Sequence, residues 1–181
     1  VEYATSSARM MRRAATPSPL LSMRSLSSRT EAIDIPLADL HRAAKAAGGS
    51  INDAYLAGLC GALRRYHDAL GVPIATLPMA VPVNLRLDSD PAGGNRFAGI
   101  NLAAPIGTAD PALRIKKIRA QMTQRRDEAA IDVIGVMAPL LSVLPDALLE
   151  AMTGSVVSSD VQASNVPVYQ EDTFIAGAKV L

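Results

Sequence analysis

Tryptophan is absent, aromatic residues make up only 3% of the chain, and there are one cysteine and two histidines. So few ring faces argue against stacking on nucleic-acid bases, and no nucleic-acid partner is expected. Cys60 alone can build neither an internal disulfide framework nor a zinc site of paired cysteines. No metal site is expected, and a reducing, cytoplasmic setting is. Charge of one sign is lacking too: 18 basic against 17 acidic side chains leave a net charge of +1, so any electrostatic partner must be held locally. Long apolar runs are missing as well. The longest charge-free stretch, Ala69 to Leu85, carries Gly71, Pro73, Pro78 and Pro82 and falls short of a bilayer span. Nor is there a Gly-x-Ser-x-Gly elbow, a phosphate loop or a dinucleotide fingerprint, so serine hydrolase, nucleotidase and dehydrogenase readings lose their usual anchors.

What is present is enough apolar residue, 49% of 181, to bury one substantial core. Residues 1–30 hold five arginines, seven serines and one acid, Glu2, without periodicity. That composition resembles a transit peptide. The first residue, Val1, and the end at Leu181 inside a strand-like stretch favour instead a piece of a longer chain. Residues 1–30 then read as a connector crossing another domain's surface and poorly ordered alone, and residues 31–181 as the folded lobe. Ala32 to Ile35 alternate as a short strand, and Leu37 to Ala47 read as a helix with Pro36 in its first turn and Gly48 as its stop.

Ser50 and Asp53 form a capping-box pattern ahead of Ile51, Tyr55, Leu59, Leu63, Tyr66 and Leu70, which predicts one amphipathic helix over Ile51 to Leu70. At about 100° per residue, Asn52 falls on the apolar arc and is expected to point into the core. Cys60 sits at the arc's edge as a small hydrophobe. From Leu77 to Leu87 apolar and other residues alternate strictly, which predicts a strand; Pro78 and Pro82 cannot donate to a ladder and suggest an edge position or irregular pairing. Phe97 to Ile106 is its expected antiparallel partner, across a long tip with Gly93 and Gly94. Asp110-Pro111 opens a further helix with Leu113, Ile115, Ile118 and Met122 on its narrow apolar side and Arg114, Lys116, Lys117, Arg119, Arg125 and Arg126 on a basic face. That face is either solvated or a seat for phosphates of coenzyme A or lipid headgroups. Ile131 to Met152 is apolar and helical in pattern; Val156 to Val168 and Thr173 to Leu181 are strand-like. Helices interleaved with at least four strands predict an α/β or α+β layered domain, a mixed sheet flanked by helices.

Acyl transfer to a hydroxyl needs a base, usually histidine. Here Lys45 and Gly71 stand where an orienting aspartate would follow His41 and His67, and both histidines read as helix-surface or helix-edge residues. Asp53 serves equally as a helix cap or a site acid, whereas a buried Asn52 amide would fix an arrangement or line a polar site. Asn165, in Ala163-Ser164-Asn165-Val166-Pro167, marks a turn or a side chain aimed at a ligand channel; periodicity leaves both open.

Four segments in register, Ser50-Ile51-Asn52-Asp53 with residues 56–66, Val81-Pro82-Val83-Asn84-Leu85-Arg86, Gly94-Asn95-Arg96 and Ala163 to Pro167, resemble the carboxy-terminal domain of the bacterial wax ester synthase/diacylglycerol acyltransferases. The resemblance covers about residues 20–181. It implies the second lobe of a fold like the coenzyme A-dependent acyltransferases related to chloramphenicol acetyltransferase, with a tunnel between lobes where acyl-CoA meets diacylglycerol or a long-chain alcohol. It implies a general base in a His-His-x-x-x-Asp-Gly motif of the first lobe, absent from this chain, so no catalytic residue is expected here. Asn52 and Asp53 would support the site; Asn84, Arg86, Asn95, Arg96, Ser164 and Asn165 are the substrate-binding candidates. Acyl-CoA would be a substrate, with no resident cofactor. The missing lobe would be the protein partner, and a membrane or lipid-droplet surface a peripheral one. Val168, where the family commonly has glycine, is a departure. Two other readings are a non-catalytic lipid- or partner-binding module using Ile131 to Met152, and a related acyltransferase with another acceptor, such as a polyketide or peptide thioester.

Overall fold

The computed structural model describes residues 13–23, 27–85, 97–128, 142–146, 159–166 and 174–179, with Ser6, Ser25 and Leu148. After a short 3-10 turn at Pro19–Leu21, the chain forms helix α1, Leu37–Ala46, and helix α2, Ile51–Ala69. Pro36 stands just before α1, and Gly48, at φ +71°, closes it. The Gly49 amide donates to the Ala44 carbonyl at 2.8 Å and that of Gly48 to Lys45 at 3.1 Å, the pairing that satisfies carbonyls at a helix end. The capping box of α2 forms as predicted: Ser50 Oγ accepts from the Asp53 amide, and Asp53 Oδ2 accepts from the Ser50 amide. The predicted strand at Ala32 to Ile35 is not formed; Ile33 and Ile35 are exposed with no ladder partner.

Strand β1, Leu77–Asn84, and strand β2, Phe97–Ala104, make the expected antiparallel hairpin, pairing Leu77 with Ala104 through Asn84 with Phe97. Leu77, Met79, Val81 and Val83 share one buried face with Ala98, Ile100, Leu102 and Ala104, as strict alternation requires. Strand β3, Val161–Gln162, adds parallel to β1, so the sheet is mixed, in the order β2-β1-β3.

That order corrects the edge placement drawn from Pro78 and Pro82. β1 is the central strand. Its even-numbered residues face β3, since the Pro78 and Ala80 carbonyls accept from the Asp160 and Ala163 amides, each at 2.9 Å. Both prolines therefore turn their donorless nitrogens toward a neighbour that pairs over two residues only, and the complete ladder to β2 is untouched. On the outer side of β2, the Gln121 amide group donates to the Ala103 carbonyl and accepts from its N–H, both at 3.0 Å, and so covers part of a sheet edge.

Gln121 belongs to helix α3, Pro111–Arg126, capped by Asp110 Oδ1 on the Leu113 amide at 2.7 Å. Ile115, Ile118 and Met122 are buried against the core, but Leu113 is exposed and Arg114 takes the inward place beside them. α3 packs on α2 and touches β2, and α1 packs on α2. The predicted final strand is instead a hairpin, β4, Phe174–Ile175, and β5, Ala178–Lys179, turning through Ala176 and Gly177, both at positive φ. The helical pattern over Ile131 to Met152 lies mostly outside the described residues. No helix among the described residues is long and apolar enough to cross a membrane.

Candidate functional site

The first turn of α2 and the second half of α3 face each other across a polar cleft of about 170 Å³ lined by Ser50, Asn52, Asp53, Arg119, Met122, Thr123 and Arg126. Asn52 is half-buried in its wall, not in the core, while Asp53 is the buried member of the pair, 4% exposed. The helical-wheel placement of Asn52 is thereby corrected. The buried face of α2, with Asp53, Leu56, Ala57, Cys60 and His67, lies about one residue further round the helix than the arc drawn through Tyr55, Leu59 and Leu63, and Tyr66 and Leu70 of that arc are exposed. Asp53 turns inward to the Ser50 amide and hydroxyl, 2.7 and 2.8 Å away. Arg119 Nη1 lies 3.8 Å from the same carboxylate, near enough to offset its charge but beyond hydrogen-bond reach.

Below the cleft, Arg114 crosses from α3 to α2. Its Nε donates to the Ala57 carbonyl at 3.1 Å and its Nη1 to those of Thr108 and Ala109 at 2.8 and 2.9 Å. It is one member of the basic face that is not solvated. Gly61 leaves the room: a Cβ there would meet Arg114 Nη2 at 2.7 Å.

The other candidates stand apart from the cleft. Asn84 is exposed at the end of β1, and Ser164 and Asn165 are exposed just past β3. Because β3 runs parallel to β1, these three leave the sheet in the same direction. Arg86, Asn95 and Arg96 lie outside the described residues.

His41 is exposed on α1, as expected. His67 is not a surface residue: it is 1% exposed, with Nδ1 2.8 Å from the Leu63 carbonyl and Nε2 2.7 Å from Ser18 Oγ. A carbonyl only accepts, so Nδ1 carries the proton and Nε2 accepts from the Ser18 hydroxyl. Ser18 Oγ also accepts from the Leu20 amide, and the Ser18 amide donates to Asp160 Oδ2 at 2.6 Å. Sequence reasoning missed this buried cluster, since its members lie far apart in the chain. Ser18, 1% exposed, is enclosed and bonded on every side, which suits a structural pin and not a nucleophile meeting substrate. Among the described residues no group of histidine, cysteine and acids could hold a metal ion.

Two family descriptions match. Residues 1–55 match the wax ester synthase/diacylglycerol acyltransferase catalytic domain and residues 93–181 the WS/DGAT C-terminal domain. Asn52 and Asp53 fall in the first match, Ser164 and Asn165 in the second. A Mycobacterium tuberculosis H37Rv protein named as a candidate diacylglycerol O-acyltransferase is 74% identical over 179 residues, 99% of this chain and 36% of its own length. A second protein of that strain, similarly named, is 35% identical over 81% of this chain and 34% of its own length. The chain thus spans about a third of the curated relatives it matches. With both halves of one family's signature in order and a relative this similar along the chain, it belongs to the wax ester synthase/diacylglycerol acyltransferase family.

Proposed function

We propose that this chain is part of an O-acyltransferase that moves a fatty acyl group from acyl-CoA to diacylglycerol or a long-chain alcohol, in the two-lobed fold of the acyltransferases related to chloramphenicol acetyltransferase. A base takes the alcohol proton, the alcohol oxygen attacks the thioester carbonyl, and coenzyme A leaves as a thiol once protonated. Acyl-CoA enters as substrate, and thioester-to-ester exchange needs no resident cofactor. His67 is committed to Ser18 and Leu63, and His41 has Lys45 where an orienting aspartate would follow, so the base comes from the family's His-His-x-x-x-Asp-Gly motif, outside these residues. The protein works in the cytoplasm, against a membrane or lipid-droplet surface that holds the acceptor.

The observation that carries this reading is the cleft at the start of α2, where Asn52 presents an amide beside the capped Asp53 within the segment matched by the catalytic domain. Asn52 positions bound substrate there through its amide, and Asp53 holds the turn that aims it. Asn84, Ser164 and Asn165 would meet substrate at the other grouping. In an enzyme carrying both lobes, Asn52→Ala lowers kcat by about ten- to a hundredfold with the melting temperature unchanged, as expected for a lost orienting hydrogen bond. Equal loss of activity and stability would reduce Asn52 to a folding residue. The alternative of a non-catalytic binding module rests on Ile131 to Met152, most of which lie outside the described residues.

A further inference from the structure

α3 turns Arg119, Met122, Thr123 and Arg126 toward the first turn of α2 along a single face. Seven residues separate the two arginines by roughly 10 Å along the axis. Each guanidinium stands on a long flexible stem, so both reach a point between them. Neither is consumed: Arg119 has its nearest carboxylate at 3.8 Å, and Arg126 is exposed with no ion pair among the described residues. Asp53 is the single acid among the described residues lining the cleft, and its Oδ2 is already held by the Ser50 amide and hydroxyl as a helix cap. Two cations therefore face one occupied carboxylate. The Asn52 amide and Thr123 hydroxyl add neutral donors on the walls.

We propose that this cleft binds a phosphate monoester, clasped between Arg119 and Arg126 on the outer side of Asp53. Such a group carries a charge of about −1.5 to −2 at neutral pH, matching a pair of guanidiniums better than a singly charged diester does. Its two sources are the 3′-phosphate of coenzyme A and the headgroup of phosphatidate; this choice of sources rests on the acyl-transfer reading, whereas the preference for a phosphate monoester rests on the cleft.

The test titrates the 181-residue chain with coenzyme A and with 3′-dephospho-coenzyme A, and separately with phosphatidylcholine vesicles with and without phosphatidate. Preference of about tenfold or more for the phosphorylated member of one pair is expected and identifies the source. The R119Q/R126Q double variant loses that preference. Arg126→Gln, which disturbs no ion pair among the described residues, weakens it alone at an unchanged melting temperature. Arg126→Lys recovers only part, because an ammonium lacks the planar fork. Equal binding within both pairs, or a preference that survives in the double variant, overturns the proposal. Failure of the acyl-transfer reading shows separately, as a two-lobed enzyme that forms no ester while phosphate preference persists.

Discussion

Cys60 lies on α2 with no exposed surface, and its thiol is pushed up from 9.0 to about 11. Burial is the main cause; the nearby Arg114 charge and a backbone hydrogen bond pull the other way and lose. The folded value stands above the unfolded one, so the native state keeps a proton that the unfolded chain releases. The stability tied to that proton is whole below pH 9 and is lost as pH rises from 9 to about 11. Two units correspond to a ceiling of about 2–3 kcal/mol. Urea unfolding of the native chain and Cys60→Ala at about pH 8 and about pH 10.5 should show the native chain losing roughly 2 kcal/mol more than the variant. Parallel losses would mean that the thiol is not excluded from water. At this same scale, sequence periodicity put Asn52 in the core, where the structure has the capping Asp53. An arc drawn through the largest apolar side chains overlooks that the small Ala57 and Cys60, with Leu56, take the inward face that Asp53 shares.

The helices themselves were legible, because capping boxes, proline starts and glycine stops are local chemistry. Their mutual packing was not. Arg114 reads as surface on any scale of hydrophobicity, yet three backbone carbonyls from two segments satisfy its guanidinium and make a cation one of the contacts between α2 and α3. Gly58 and Gly61, one turn apart on α2, separate propensity from packing. A Cβ at Gly58 meets nothing within 4 Å, so Gly58→Ala stabilises by about 0.5–1 kcal/mol through helix propensity alone. At Gly61 the same gain is outweighed by pushing Arg114 off its carbonyls, for a net loss of about 1–2 kcal/mol. Thermal unfolding of the two variants checks this. A Gly61→Ala protein as stable as Gly58→Ala would show that the Arg114 bridge carries no energy.

Across the whole molecule, the sheet was legible wherever pairing is close in sequence. The alternation in Leu77 to Leu87 and the apolar run after the glycine-rich tip gave the hairpin of β1 and β2 and its buried face. The neighbour on the other side, β3, comes from residue 161, and no local pattern shows which edge of β1 a distant segment will take. Pro78 and Pro82 were informative only about a side of the strand, and were read as information about its position. The pin of Ser18 on His67 and Asp160 escaped for the same reason: it joins three parts of the chain, and each residue is ordinary in its own neighbourhood. The motifs that placed the chain in its family were legible because short polar segments in fixed order survive without knowledge of contacts. On the proposed function, these residues furnish one side of an acyl-transfer site whose base lies elsewhere. The most direct measurement incubates labelled fatty acyl-CoA and diacylglycerol with the 181-residue chain alone, and in parallel with a fusion that supplies a relative's His-His-x-x-x-Asp-Gly lobe. Labelled triacylglycerol should form only with the fusion. Product from the chain alone at comparable rates, or none from a folded fusion, would contradict the account.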